Sequence, residues 1–265
     1  MSNSNLAIDK TEVNTIDLEY KVKDMYRSVA LDPSGDFHFE MGRVMAERLG
    51  YPASDLDQIP AQAIESFAGV GYYFHLTQLQ EGEHVVDLGS GSGMDTFYAA
   101  LKVKSSGRVI GIDMTDEQLH KASTLRDESG FNSVSYQKGY IQSIPCEDET
   151  FDSVISNGVI NLAPNKHKVF KEAARLLKPG GRLTLSDIVT DIQLPGDISC
   201  DATLWAACIG GAMQQDSYLK AIESAGLIIE TVEDNPEYRF ISDSAQWATE
   251  TYGVKSISVL ARKPV

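Results

Sequence analysis

Cysteine is scarce. Cys146, Cys200 and Cys208 are the three in 265 residues. They form neither a C-x-x-C pair nor a regular framework, so no thiolate metal site and no disulfide-stapled secreted fold is expected. Basic residues are few as well: 23 Lys and Arg stand against 38 Asp and Glu, for a formal net charge of −15. With no Lys/Arg cluster to offset it, such a surface repels phosphate backbones and anionic headgroups, so neither nucleic acid nor a membrane is expected as a partner. No apolar run approaches the ~20 residues of a membrane span. The start, M-S-N-S-N-L-A-I-D-K, lacks the basic residues and apolar stretch of a signal peptide. Reduced cytoplasm is the expected compartment. Internal repeats and low-complexity tracts are missing too.

What remains is an ordinary globular composition, 42% hydrophobic and 23% charged, long enough for one large domain or a domain with a cap. From Asp17 to Ala30, Leu18, Val22, Met25, Tyr26 and Val29 recur on one helical face. Further helices are expected over about 40–49, ending at Gly50, and from Pro60. The first eighty residues therefore read as helical and poor in strands. After Gly82 the texture alternates. Strands are predicted over 84–88, 108–113, 133–137, 151–156 and 182–189, with helices over 94–104, 115–129 and 166–177 between them. Thr115 and Gln118 have the spacing of a capping box. This alternation predicts βαβ units and a mostly parallel sheet. Beyond Thr190 a helix over 214–225 and strands over 227–232 and 255–261 follow, the last pairing antiparallel at the sheet edge.

The sharpest motif is V-V-D-L-G-S-G-S-G, residues 85–93, between the first strand of the alternating region and its helix. Glycines there permit positive φ and close approach of a ligand to the backbone, and the helix aims its amides at that ligand. Asp113 ends the next strand, 20 residues after Gly93, where an acid accepts hydrogen bonds from ribose hydroxyls. The spacing is G-x-G-x-G, not the G-x-G-x-x-G of dinucleotide sites. Asp87, two residues before the first glycine, suits an ammonium group better than a pyrophosphate. A nicotinamide oxidoreductase fits poorly for these reasons.

V-V-D-L-G-S-G-S-G, I-G-I-D-M-T, F-D-S-V-I-S-N and L-L-K-P-G-G-R-L, in that order, resemble the successive motifs of class I S-adenosylmethionine-dependent methyltransferases. The resemblance implies an α/β fold: a Rossmann-like, seven-stranded, mostly parallel sheet with helices on both faces, an N-terminal helical cap and a substrate-binding insertion. It implies a cap over residues 1–66, a cofactor-binding core over 67–190, and the insertion with the C-terminal strands over 191–265. S-adenosyl-L-methionine is the implied cofactor. Asp87, Gly89, Ser90, Gly91 and Gly93 would line its methionine and ribose side, Asp113 would take the ribose hydroxyls and Met114 would pack on the adenine. Tyr140 and Ile141 stand where the family has an acid and a small residue after the third strand. The acid is missing here, so the adenine amine needs another acceptor. Asn157, ending the fourth strand, falls where the family contacts the methionine part.

Finer stretches, V109-I-G-I-D-M-T-D-E-Q-L119, V154-I-S-N-G-V-I-N-L162 and L204-W-A-A-C-I-G-G-A212, look like the arsenite methyltransferase branch. That branch holds a soft trivalent metalloid on thiolates. Of its three cysteines this chain keeps Cys208 alone. Gly158 and Val70 occupy the other two positions, and Cys200 is a candidate replacement. The expected reaction is in-line methyl transfer to a small-molecule acceptor, with sulfur, nitrogen, oxygen and carbon all open as nucleophile. Arsenite methylation through Cys208 and Cys200, and a catalytically silent cofactor-binding protein, are the alternatives. Candidate groups on the acceptor side are Asn161, Asp187, His38, Tyr26 and Cys208, with Tyr72 as a further residue closing over the cofactor. Trp205 and Met213 line an apolar pocket or fill the core. No metal is expected, and a homodimer is left open.

Overall fold

The computed structural model describes residues 14–199, 205 and 209–265. Cys200 and Cys208 lie outside them. The described residues open with α1 (Thr15–Leu31), whose start is capped by Asn14: its side-chain oxygen accepts from the amides of Ile16 and Asp17. Leu18, Val22 and Val29 are buried, as the periodicity predicts, while Met25 and Tyr26 are half-buried. Four short helices follow: α2 (Arg43–Leu49), α3 (Ala53–Leu56), α4 (Ala61–Glu65) and α5 (Phe74–Thr77). The second and fourth of these were not expected.

The alternating region then runs β1 (His84–Leu88), α6 (Met94–Val103), β2 (Arg108–Asp113), α7 (Asp116–Ser129), β3 (Val134–Lys138), β4 (Phe151–Asn157), a single 3-10 turn (Ile160–Leu162), α8 (Lys166–Leu176) and β5 (Leu177–Thr190). A four-residue helix α9 (Gly196–Ser199) follows. The chain ends with β6 (Met213–Gln214), α10 (Gln215–Ser224), β7 (Ile228–Asp234), α11 (Asp243–Tyr252) and β8 (Lys255–Arg262). One eight-stranded sheet results, ordered β3-β2-β1-β4-β5-β8-β7, with β6 paired to β5 off this path. Strands β1 to β5 pair in parallel, and β8 is antiparallel to both β5 and β7.

Burial of alternate residues explains the layering. On β1, Val86 and Leu88 face one apolar cluster, with Phe170, Ala173 and Tyr218, while Val85 faces a second, with Met94, Phe97 and Tyr98. Helices thus cover both faces. A third cluster, built on Leu18, Val22, Val70, Leu162, Ile188 and Trp205, closes one end.

Two local expectations are corrected. The last strand is not at the sheet edge. β8 is buried along almost its whole length, whereas β7 carries Glu230, Glu233 and Asp234 and is the strand that tolerates an unpaired edge. The capping box does not form either. Thr115 caps α7 without a side-chain hydrogen bond, and Gln118 is buried, accepting from Ser92 Oγ (2.5 Å) and donating to the Tyr26 carbonyl (2.8 Å). Tertiary partners outbid the local turn. Among the described residues no helix is long and apolar enough to cross a membrane.

Candidate functional site

Strand order reverses between β1 and β4: the chain moves outward to β2 and β3, then returns to β4 on the other side of β1. The carboxyl ends of β1 and β4 therefore leave a crevice, where open α/β sheets bind ligands. A cavity of about 870 Å³ lies there. Its lining comes from α1, the stretch 66–69, the glycine loop, the ends of β2 and β4, residues 139–142, the 3-10 turn and the residues after it, and Ser199 and Trp205.

The glycine loop forms as its spacing requires. Gly89 and Ser90 donate their amides to the Ile112 carbonyl on β2, at 2.8 and 3.0 Å, which holds the loop over the sheet. Gly93 has φ +96, and a Cβ there would sit 2.1 Å from the Tyr136 hydroxyl, so only glycine fits. Gly91, also at positive φ, has nothing closer than Gln118 at 3.7 Å, leaving its backbone open to the cavity. Its amide donates to one oxygen of Asp113 (3.0 Å), and the Thr115 amide donates to the other (2.8 Å). Ser90 contributes backbone only. Its hydroxyl is buried against Gly111 on β2.

Three carboxylates converge. Asp87 accepts from Thr96 Oγ1 at 2.6 Å. Burial drives its pKa well above the usual carboxylate range, and the charges of Asp95 and Asp113 push it the same way. Asp113 is raised by burial against the pull of its amide partners. Asp95, in the first turn of α6, was not anticipated. It is 5% exposed and accepts from Tyr51 (2.6 Å), Tyr73 (2.9 Å) and Asn157 Nδ2 (2.9 Å). Burial raises it too. Its signal in the sequence was an acid directly behind the glycine loop, on a helix with an otherwise buried start.

Asn157 does line the cavity, but its side chain is already engaged. Besides Asp95, it bonds the Val70 amide (2.7 Å), the Gly71 carbonyl (3.0 Å) and Tyr51 (3.2 Å), pinning the 69–71 stretch onto β4. Met114, Tyr140 and Ile141 line the cavity, joined by Gln142. The Tyr140 hydroxyl donates to Glu19 (2.7 Å) and accepts from Lys23 (3.0 Å), fastening α1 across this end.

The expected acceptor-side residues fare unevenly. Tyr26 lines the cavity. Asn161 and Asp187 do not: both are buried behind its wall, where the Asp187 carboxylate accepts from the Asn161 amide (2.9 Å), the Tyr218 hydroxyl (2.7 Å) and the Ile188 amide (2.9 Å). His38 sits in a separate recess with Lys21, Asp24 and Phe37. Tyr72 belongs to an aromatic cluster, against Tyr51 and Tyr98, rather than covering the cavity. Cys208 and Cys200 lie outside the described residues. Val70 Cγ1 lies 3.1 Å from where a Gly158 Cβ would be, so the two positions that carry thiols in the resembled branch adjoin each other, and valine fills the gap.

The sequence profile described as a methyltransferase domain matches residues 79–226, more than half of the chain. The arsenite methyltransferase of Halobacterium salinarum is 37% identical over 247 residues, covering 91% of this chain and 63% of that one. This chain belongs to the S-adenosylmethionine-dependent methyltransferases and is similar to their arsenite methyltransferase branch. A second such methyltransferase, from Aquipseudomonas alcaligenes, is 39% identical over 198 residues, covering 72% of this chain and 56% of that one. The chain thus spans less than two thirds of the length of either relative. Among solved structures, an arsenic(III) S-adenosylmethionine methyltransferase from Chlamydomonas reinhardtii superposes with TM-score 0.63 at 28% identity, over 85% of this chain and 75% of that one. Geranyl diphosphate C-methyltransferase from Streptomyces coelicolor, solved with S-adenosyl-L-homocysteine, reaches 0.66 over 93% and 97% at 18% identity, a likeness of fold.

The residues present fit the family's cofactor. Asp87 and Asp95 are buried and Asp113 is half-buried; desolvation raises all three, and the charges of the other two raise Asp87 further, so a ligand carrying ammonium and sulfonium charge relieves both effects. Gly91 leaves the backbone bare beside Asp113, which is where a ribose would approach.

Proposed function

We propose that this methyltransferase moves a methyl group from S-adenosylmethionine to a small-molecule acceptor by in-line displacement. The observation that carries the reading is one cavity lined both by the glycine loop with the carboxylates of Asp87, Asp95 and Asp113 and by the apolar Leu162, Ala163 and Trp205. In this reading Asp113 binds the ribose through the oxygen lone pairs its amide partners leave. Asp87 and Asp95 hold the positive end of the donor, and Met114, Tyr140, Ile141 and Gln142 enclose the adenine. The donor, when bound, supplies a methyl group already activated on a sulfonium. The chain's part is then to hold donor and acceptor in line and to exclude water. Leu18, Val22 and Tyr26 on α1 do the excluding. Residues 1–66 act as the cap, 67–190 as the cofactor core, and 191–265 as the acceptor-binding insertion with the strands that complete the sheet.

Of the acceptor-side candidates, Asn161, Asp187 and His38 lie off the cavity and Tyr26 lines it; a nucleophile that needs no general base, a thiolate or a carbanion-like carbon, suits this arrangement. Calorimetry with S-adenosylhomocysteine tests the reading: binding by the wild type and its loss in Asp113→Ala is expected, and no binding by the wild type sinks it.

Arsenite is the second reading, favoured by the relatives' names. Val70 and Gly158 weigh against it, since neither supplies a thiolate. Incubation with labelled donor, arsenite and glutathione decides: a labelled methylarsenical establishes arsenite as acceptor.

A further inference from the structure

Lys166 is a lysine where a lysine is costly. It is 4% exposed, and burial lowers its pKa to about 8 against the opposing charge of Asp187. Its ammonium has three hydrogens to place. Two go to the carbonyls of Asn161 (3.1 Å), inside the 3-10 turn, and Ala163 (3.0 Å), the residue after it. The Trp205 ring lies on the third side, its centroid 4.7 Å from Nζ. A methionine would fill the same volume without desolvating a charge. What the ammonium adds is a fastening between the turn and the indole.

The indole is held on its other sides as well. Its Nε1 donates to the Ser199 carbonyl at 2.6 Å. Gly210 and Gly211 pack so closely that a Cβ on the first would lie 2.3 Å from Trp205 Cδ1, and one on the second 2.0 Å from the Asn161 carbonyl oxygen. This accounts for the G-G of the I-G-G-A stretch: a side chain at either glycine would drive the indole or the turn away. Trp205, Leu162 and Ala163 line the same cavity as the carboxylates, and Ile16, Leu18 and Val22 reach it from α1.

Resting on the methyltransferase reading above, we infer that Trp205 is the specificity-determining wall of the acceptor end, that Lys166 is the residue that positions it, and that the acceptor presents an apolar face to the indole. Lys166 touches neither donor nor acceptor. It acts by holding the turn and Trp205 in one arrangement, so that the acceptor does not have to order them on binding.

Trp205 and Trp247 are the two tryptophans of the chain, so Trp247→Phe leaves Trp205 as the sole emitter. In that background, with S-adenosylhomocysteine bound, the neutral probe N-phenyl-1-naphthylamine is expected to accept energy from Trp205 saturably. Adding Lys166→Met should red-shift Trp205 emission and weaken the probe by up to about thirtyfold, the size of a desolvated cation–π contact, with cofactor affinity unchanged. Trp205→Phe, which keeps a π face, should hold the probe in a direct fluorescence titration, and Trp205→Leu should lose it to the same degree as Lys166→Met. Unchanged Trp205 emission and probe affinity in Lys166→Met overturn the inference, as does absence of energy transfer in protein that binds S-adenosylhomocysteine. If Lys166→Met does not fold, the Trp205→Leu titration decides: undiminished probe affinity overturns the assignment. Failure of the wild type to bind S-adenosylhomocysteine would strike the methyltransferase reading instead, and the emission comparison, which needs no cofactor, would still decide the role of Lys166.

Discussion

Asn157 Nδ2 donates to Asp95 Oδ2 over 2.9 Å, joining the end of β4 to the first turn of α6 across the crevice. The same amide holds the Val70 amide and the Gly71 carbonyl. One side chain therefore fixes the floor of the cavity and the loop behind it. Replacing Asn157 by Asp puts a second carboxylate against Asp95 and against the Gly71 carbonyl. The expected loss is about 3 kcal/mol of stability, the scale of a broken buried polar contact. Urea unfolding at pH 7 measures it, and a loss within experimental error would show that the network is dispensable.

Asp113 spends one lone pair of each oxygen on the amides of Gly91 and Thr115. The remaining lone pairs are what a ribose can use. Asp113→Ala should weaken S-adenosylhomocysteine by roughly 10- to 100-fold, the worth of one or two charge-assisted hydrogen bonds. Calorimetry reads the change directly, and equal affinities would place the ribose elsewhere.

Burial holds the pKa values of Asp87, Asp95 and Asp113 above the ordinary range. As pH falls, these groups take up protons before exposed carboxylates near about 3.9 do. Each proton removes a negative charge that a sulfonium needs and a neutral thioether does not. The affinity ratio of S-adenosylmethionine to S-adenosylhomocysteine should therefore fall with pH, starting above the ordinary carboxylate range. A ratio constant from pH 7 to 5 would count against the carboxylates as the sulfonium's partners.

Lys166 titrates near 8 in the folded protein against 10.5 for the free amine. Between those values the unfolded chain binds more protons than the folded one, so this group's contribution to stability rises with pH across that window. Asp187, which faces it from β5, is raised by burial from 3.8 to about 6. There the folded chain binds more protons, and the contribution falls as pH rises from 3.8 to 6. Unfolding free energies of wild type and Lys166→Met, compared from pH 7 to 10, should show the wild type gaining on the variant. A flat difference would mean the amine is not buried in its charged form.

Gly158 has φ +68, and its missing Cβ points at Val70 Cγ1, 3.1 Å away. Gly158→Ala should cost about 1–2 kcal/mol, from left-handed backbone strain with the contact added. Pairing it with Val70→Ala relieves the contact and leaves the strain, so the double variant should fall short of the sum. Thermal or urea denaturation of all four proteins closes the cycle, and strict additivity would deny the contact.

Local pattern carried much of this protein. The β1 loop, from Asp87 to Gly93, and Asp113 were legible because their roles depend on neighbours a few residues away and on the strand–turn–helix rhythm around them. The strands of the parallel region were legible for the same reason. Asn161 and Asp187 were misplaced because a strand end and the turn after it have two sides, and which side meets the cavity depends on β5, α8 and α10 together. Asp95 went unseen because its partners Tyr51, Tyr73 and Asn157 are distant in the chain. Gln118 matched a capping box by spacing, yet Ser92 and Tyr26 offered it better bonds.

The sequence by itself determined the layered architecture, which follows from periodicity, and a nucleoside site at the glycine loop, which follows from backbone freedom and the placing of Asp113; the cofactor was implied by the resemblance of its ordered motifs. Only the tertiary structure decided what closes the other end of the cavity. There Val70 fills the space beside Gly158, and Lys166 fastens Trp205 to the turn. Those contacts join residues dozens of positions apart, and no local propensity encodes them.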